Sequence, residues 1–422
     1  MAAPFAEPLW HTRHISPYYN TSHRSLQQTV RKFIDTHIAP NCAEWEAAGH
    51  VPPEVIERFA SQGYMAAAVY PLAGDYLEGQ QLPAGIPSGE WDAFHDLVVI
   101  DEIARCGYLG VIWALSCGNS IGLPPVIVYG TDKQKRQFVP NALKGKSRFC
   151  LGVTEPDAGS DVAGITTTAE RQGDVYIVNG AKKWITNGLF ADYCTTAVRT
   201  GGPGRKGISA IVVPMKAKGV TCKHIENSGV HASRSTYIEF DDVEVPVANL
   251  LGKENHGFEI IMTNFNHERL WLACTSLRLA RVCAEDSFRH AITRETFGKK
   301  LIENQIIRSK VSAFGREIDS AHAFMEQLVY MMQQSKGKDI WIGGLVANLK
   351  VLAGRTLEHT VREAQQIMGG LGYARKGRGA RIEQISRDVR VMVVGGGSDE
   401  ILADLAVNQE MKFTSMLSKS KL

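Results

Sequence analysis

The hydrophobic period changes twice along this chain, and few architectures accommodate that. Residues 25–143 carry apolar side chains at three- and four-residue spacing in SLQQTVRKFIDTHI, EVIERFASQGY, EWDAFHDLVVIDEIARCG and DKQKRQFVPNALKG, which predicts helices. From about Phe149 to Gly252 the pattern shortens to β-rich runs, VYIVNG, KKWIT, ISAIVVPM and TYIEFDDVEVP, divided by Gly, Asn, Asp and Pro. Helical spacing then returns over 257–293, 304–335, 339–368 and about 399–412, in stretches long enough for a bundle. The expectation is an α+β chain: N-terminal extension 1–24, helical domain 25–148, β domain 149–252, helical bundle 253–412, and a flexible tail 413–422. The stretch PLAGDYLEGQQLPAGIPSG (71–89) reads as a long loop from its Gly and Pro content, of the kind that is often functional or mobile.

Composition removes several classes of function. No apolar run approaches the length that spans a bilayer. A formal charge of +3 with Lys and Arg spread along the chain is no nucleic-acid footprint. Eight cysteines without a C-x-x-C pair argue against a disulfide framework or a zinc site, leaving reduced, mostly buried thiols and no metal. The first residues hold no apolar signal region, although the acid-poor stretch up to Arg24 keeps a mitochondrial destination as runner-up. Ser420, Lys421 and Leu422 spell the peroxisomal address, behind a polar stretch from Lys412 to Lys419.

Two segments of the β region hold the densest chemistry: LGVTEPDAGSD (151–161) and WITNG (184–188). They combine backbone donors beside small residues with an aromatic plate and a hydroxyl, a set that suits a flat, phosphate-bearing cofactor. Two β-turns and a core Trp would read the same way.

These segments resemble the two signatures of the acyl-CoA dehydrogenase family. The resemblance runs from about residue 25 to 410 and continues, at the family's spacing, through FDDVEVP (240–246), RETFGK (294–299), Gln305, QQIMGGLGY (365–373), RDVR (387–390) and GGGSDE (395–400). It implies a helical, β, helical three-domain subunit with FAD lodged between the β domain and the C-terminal bundle. It assigns Leu151, Val153, Thr154, Gly159 and Ser160 to the flavin and its pyrophosphate. Trp184, Ile185 and Thr186 flank the isoalloxazine ring. Arg294, Phe297, Gln305, Gln366, Ile367, Gly369 and Gly370 reach the FAD of a neighbouring subunit, implying a homotetramer or at least a dimer. Ser398 and Glu400 approach the adenine-side phosphates and ribose, and Ser160, Phe265, Asn266, Arg269, Gly395 and Gly396 face the substrate.

The base departs from the family's commonest pattern. Most members place a Glu where this chain has Gly396, but the isovaleryl-CoA and long-chain branches carry it in an E-R-L motif on the first long C-terminal helix, here Glu268-Arg269-Leu270. Helical geometry supports Glu268 separately. Ile261, Phe265, Glu268 and Leu272 follow at steps of four, three and four, which puts the carboxylate on an apolar face. Desolvation there raises a carboxyl pKa, as a base for a carbon acid requires. An ordinary salt bridge is the bland alternative. Arg269 orients base or substrate in this reading, and His267 is a surface or helix-packing residue. The Gly396 N–H, with a ribityl hydroxyl, binds the thioester carbonyl, and the paired glycines predict a wider pocket for a branched or bulky acyl group.

The implied reaction removes the α-proton of an acyl-CoA while the β-hydrogen passes as hydride to the flavin, giving the trans-2-enoyl-CoA. The acceptor is electron-transferring flavoprotein or, in a peroxisome, O2 in an oxidase-type reaction. Two rivals are a non-catalytic flavin-binding offshoot associated with DNA and a nitroalkane oxidase. The mild charge opposes the first. The second would carry Asp at position 396.

Overall fold

The structure is a computed structural model that describes residues 2–335 and 341–420. Lys421 and Leu422 of the expected address, and the start of the helix expected from 339, lie outside the described residues.

Helices α1 (Thr21–Phe33), α2 (Pro53–Ser61), α3 (Ala93–Ala104) and α4 (Asp132–Leu143) stand on the four periodic N-terminal stretches. Side chains at the caps explain where three of them start: Asn20, Asp92 and Thr131 each accept from the backbone N–H groups of the first turn. In α1 and α3 the return bond comes from a histidine ring, His23 Nδ1 to the Asn20 N–H at 3.0 Å and His95 Nδ1 to the Asp92 N–H at 3.1 Å. His23 Nε2 also meets Asp92 Oδ1 at 2.9 Å, so the two helix starts lock together.

Strands β1 (Phe149–Gly152), β2 (Thr168–Gln172), β3 (Val175–Ile185), β4 (Tyr193–Arg199), β5 (Ile208–Pro214), β6 (Val220–His224), β7 (Thr236–Pro246) and β8 (Leu250–Leu251) make one sheet. Its order is β6-β7-β3-β2-β4-β5-β8, with β1 pairing parallel to β4. Helix α5 (Gly257–Thr293) follows, then a hairpin of β9 (Glu295–Thr296) and β10 (Lys299–Lys300), and helices α6 (Gln305–Ser335), α7 (Ile342–Met368), α8 (Ala380–Val394) and α9 (Asp399–Ser420).

By compactness the chain divides in two, not along the three sequence segments. One unit is Met1–Pro40, Asp92–Leu109 and Glu268–Leu422; the other is Asn41–Trp91 and Gly110–His267. In the first, buried Arg278 on α5 donates to both oxygens of Asp101 and, at 3.1 Å, to Glu7. Glu7 also accepts from Arg31 and Arg105, each at 2.9 Å. Burial pushes this carboxyl up, but the three guanidiniums overcome it and bring it to about 2. Arg281 holds the carbonyls of Phe5 and Glu7. The expected extension 1–24 is therefore tied into its unit from residue 5 onward.

In the second unit the sheet buries Tyr176, Val178, Ile211, Val213, Ile238 and Val243 on one side, and Phe138, Phe149 and Val212 join a cluster with Val69 and Leu143. Three expectations change. Residues 109–129 are helical, long and apolar enough to cross a membrane by length and composition, yet 83% of the stretch is buried, as in a core helix. Helix α8 was not anticipated. Helix α9 runs through to Ser420, past the boundary expected at 413, with Thr414–Ser418 exposed. The 71–89 loop holds only short turns, at Gly74–Tyr76, Pro83–Gly85 and Ser88–Glu90. All eight cysteines are free, and only Cys222 is not buried.

Candidate active site

The two signature segments are fastened to each other from below. Lys182, buried on β3, donates from Nζ to the Val153 carbonyl at 3.1 Å and to Glu155 Oε1 at 2.7 Å, and the Lys183 N–H reaches the Thr154 carbonyl at 2.8 Å. Glu155 further accepts from the Thr166 N–H at 2.6 Å, the Thr166 hydroxyl at 2.8 Å and the Thr167 N–H at 3.0 Å. Burial alone would raise this carboxyl. The charge of Lys182 and the donors around it bring it to about 2 instead.

Above this anchor the residues suited to a cofactor stay accessible. Gly159 and Ser160 are exposed, and a Cβ on Gly159 would meet nothing within 4 Å. Trp184 is 53% exposed and holds φ +65°, a strained conformation for a bulky side chain. The core-Trp reading therefore fails. Asn187 keeps this bend in place, its N–H donating to Ser233 and its amide to the Trp113 carbonyl, each at 2.9 Å. Thr186 is half-buried beside it. An exposed aromatic plate, a hydroxyl and an open glycine loop fit a flat cofactor carrying phosphates. The side chains of Leu151, Val153 and Ile185 sit in apolar cores, so only their backbones serve a ligand. Phe265 packs against the cluster of Leu151, Val153 and Ile261, and Asn266 is half-buried.

A second group gathers in the unit that contains Glu268–Leu422. Between α8 and α9 the chain turns through Gly395, Gly396 and Gly397, with φ +67° at Gly396 and +113° at Gly397. Arg269 Nε donates to the Gly396 carbonyl at 2.9 Å, and Lys350 of α7 donates to the carbonyls of Val393 and, at 2.8 Å, Gly397. A Cβ on Gly396 would stand 2.8 Å from Leu272 Cδ1, 3.6 Å from Arg269 Cγ and 4.0 Å from Glu268 Oε1. The space that a side chain at 396 would claim is thus taken by α5. The wider pocket expected from this glycine is not there in the Cβ direction, and a Cβ on Gly395 would likewise press on the Val391 carbonyl at 2.8 Å.

Glu268 itself carries the most unusual carboxylate of the unit. Its Oε2 is sealed from solvent and, among the described residues, has no hydrogen-bond donor. Burial pushes the carboxyl to about 7, against the opposing charges of Arg269 and Lys350. The charges of Arg269 and Lys350 both act on Glu268, while Arg269 Nε is engaged by the Gly396 carbonyl. No hydrogen bond among the described residues uses the Gly396 N–H. His267 is a packing residue: its ring stacks on Tyr70 at 4.2 Å, its Nε2 is sealed, and burial brings it down to about 3, which leaves it neutral near pH 7.

The remaining residues lie apart. Arg294, Phe297 and Gln305 are exposed, Phe297 fully so at the hairpin tip with φ +52°. Gln366, Gly369 and Gly370 are exposed, whereas the Ile367 side chain is buried and offers only its backbone. Ser398 leads into α9, and hydrogen bonds from its own backbone and from the Ser398 hydroxyl lower the exposed Glu400 carboxyl. Sequence reasoning missed Lys182 and Lys350. Lys350 had one signal, a lysine inside a mostly apolar run, whereas Lys182 stands beside Lys183 and had none.

Three family descriptions match in order: acyl-CoA dehydrogenase N-terminal domain over residues 20–146, middle domain over 150–243 and C-terminal domain over 255–410. The chain is 51% identical over 414 residues to the acyl-CoA dehydrogenase AFT10-1 of Alternaria alternata, covering 97% of this chain and 96% of that one. It is 42% identical over 419 residues to the acyl-CoA dehydrogenase apdG of Emericella nidulans, with the same coverages. A crystal structure of a probable acyl-CoA dehydrogenase from Mycobacterium abscessus superposes with a TM-score of 0.84 at 36% identity, covering 93% of this chain and 99% of that one.

Proposed function

The chain belongs to the acyl-CoA dehydrogenase family, and on that premise we propose that Glu268 is the base that takes the α-proton of its acyl-CoA substrate. The family's fold is the three-domain helical, β, helical one, and the chain is an FAD-dependent oxidoreductase. FAD, when bound, supplies the acceptor for the hydride that leaves the β-carbon. The β-domain loop at Gly159 and Ser160, the Trp184 plate and Thr186 hold it.

One observation carries the assignment: a carboxylate oxygen sealed from water, without a donor, on a group brought to about 7. A base of that strength is half ionised near neutrality and is strong enough to share a carbon-bound proton in the transition state. The unused Gly396 N–H is the donor for the thioester oxygen, where negative charge grows as the proton leaves. Glu268→Gln should leave the protein yellow and abolish bleaching of its flavin by acyl-CoA. Bleaching that survives the substitution would sink the assignment.

The acyl group, branched or bulky in the reading from the paired glycines, is open to direct measurement. Anaerobic titration with straight and branched acyl-CoAs ranks the substrates. Admitting electron-transferring flavoprotein, and separately air, then separates a dehydrogenase from the oxidase-type alternative: rapid reoxidation by the flavoprotein with stability in air supports the former. The fully exposed Phe297 at a strained hairpin tip supports a homotetramer or dimer in which this hairpin meets a second copy. Sedimentation showing only monomer would rule that out.

A further inference from the structure

Taking Glu268 as the base, we propose that Lys350 is the positioning residue of the site: it clamps the Gly395–Gly397 turn by its carbonyls and supplies a positive charge that Glu268 needs. Lys350 is 1% exposed on α7, with Val346, Ala347, Leu349 and Ala353 of the same helix wholly buried. An ammonium in such surroundings must find acceptors, and it finds the carbonyls of Val393 and Gly397. Val393 lies in the last turn of α8, where carbonyls lack partners within the helix and the helix dipole favours a cation.

No carboxylate pairs with Lys350 among the described residues, which separates it from an ordinary buried salt bridge. The charges it faces come from two elements. Asp399 on α9 attracts it but is engaged by Arg355 at 3.0 Å; Arg269 on α5 repels it; Glu268 on α5 attracts it. Together with Arg269 it fixes three carbonyls across the five residues Val393–Gly397, and the peptide N–H of Gly396 has no acceptor among the described residues. Burial brings Lys350 down to about 8, so the cation beside Glu268 is present at neutral pH and discharges just above it.

A mere strut would need hydrogen bonds only, whereas the proposal needs the charge. Lys350→Gln keeps a donor and removes the charge, Lys350→Met removes both, and Lys350→Arg keeps the charge. The carboxyl infrared band that disappears in Glu268→Gln identifies Glu268 and gives its titration midpoint in each FAD-loaded variant. With one opposing cation gone, that midpoint should move upward in Lys350→Gln and Lys350→Met, and the pH profile of flavin bleaching should follow. Lys350→Arg should hold the midpoint in place.

An unmoved midpoint in Lys350→Gln, at unchanged FAD content and melting temperature, overturns the proposal. If Lys350→Met does not fold, Lys350→Gln decides; if neither folds, Lys350 is a structural strut and the proposal falls equally. Bleaching that survives in Glu268→Gln is a different failure, of the base assignment alone.

Discussion

Glu155 and Glu268 are two carboxylates withdrawn from water on the same chain, and they have been pushed in opposite directions. Glu155 is met by Lys182, two backbone N–H groups and a hydroxyl, and lies at about 2. Glu268 feels the charges of Arg269 and Lys350 but has no donor on Oε2 among the described residues, and lies at about 7. Burial acts on both with the same sign. What differs is whether donors touch the oxygens, and that decides whether a buried acid holds a loop or moves a proton.

The largest effect expected from this contrast is chemical. Glu268→Gln should lower the rate of substrate-driven flavin reduction by about 10² to 10⁴-fold, the usual worth of a positioned base. The fold should be kept, because an amide needs no charge compensation. Rapid-mixing spectroscopy measures it, and retention of the wild-type rate would erase the distinction between the two residues. On the other side, Lys182→Met should cost about 3–5 kcal/mol of stability by stranding Glu155, and should loosen the flavin because the 153–160 loop loses its anchor. Denaturant melts and FAD content after gel filtration measure both.

The pH dependence of stability should split the pair. Glu268 has its folded value near 7, above the ordinary 4.5, so the folded state holds the proton more tightly. Its contribution is fully present below about 4.5 and is lost as pH rises through 7. Glu268→Gln should therefore melt higher than wild type above pH 7, by up to about 3 kcal/mol, with the gap closing toward pH 4.5. Glu155 runs the other way. Held near 2, it contributes stability above 4.5 that vanishes as pH falls through 2, so Glu155→Gln should narrow its deficit only in strong acid. Parallel melting curves for the two variants would show that their surroundings do not differ as described.

The same contrast marks what the sequence discloses. The apolar stripe of Ile261, Phe265 and Leu272 was visible as helical spacing, and with it the placement of Glu268. The period change at 149 was equally local. What stayed hidden depends on approach over distance. Lys182 and Lys350 read as ordinary lysines until the carbonyls they serve, 29 and 43 residues away in the chain, come beside them. Gly396 read as empty space because nothing local says that Leu272 fills the place of its Cβ. The helix at 109–129 escaped the apolar scan because Gly, Ser, Asn and Pro interrupt it, and α8 because charged residues interrupt its apolar spacing, Glu383 and Asp388 even on its buried side. Residues 5–7 looked like a loose end for want of their partners at 105, 278 and 281.

The finest probe of the comparison is a single hydroxyl. Thr166 donates to Glu155 Oε2 from both its N–H and its Oγ1, and only the second depends on the side chain. Thr166→Val keeps the shape and the backbone donor and removes one of the contacts that distinguish Glu155 from Glu268. The loss should be about 1 kcal/mol, since Lys182 and the Thr167 N–H remain. The acid limb of unfolding should shift slightly upward, because one of the bonds favouring the ionised form is gone, while FAD binding persists. A loss as large as that of Lys182→Met would mean that the hydroxyl, not the ammonium, holds the loop, and the contrast between the two carboxylates would have to be drawn through dipoles instead of charge.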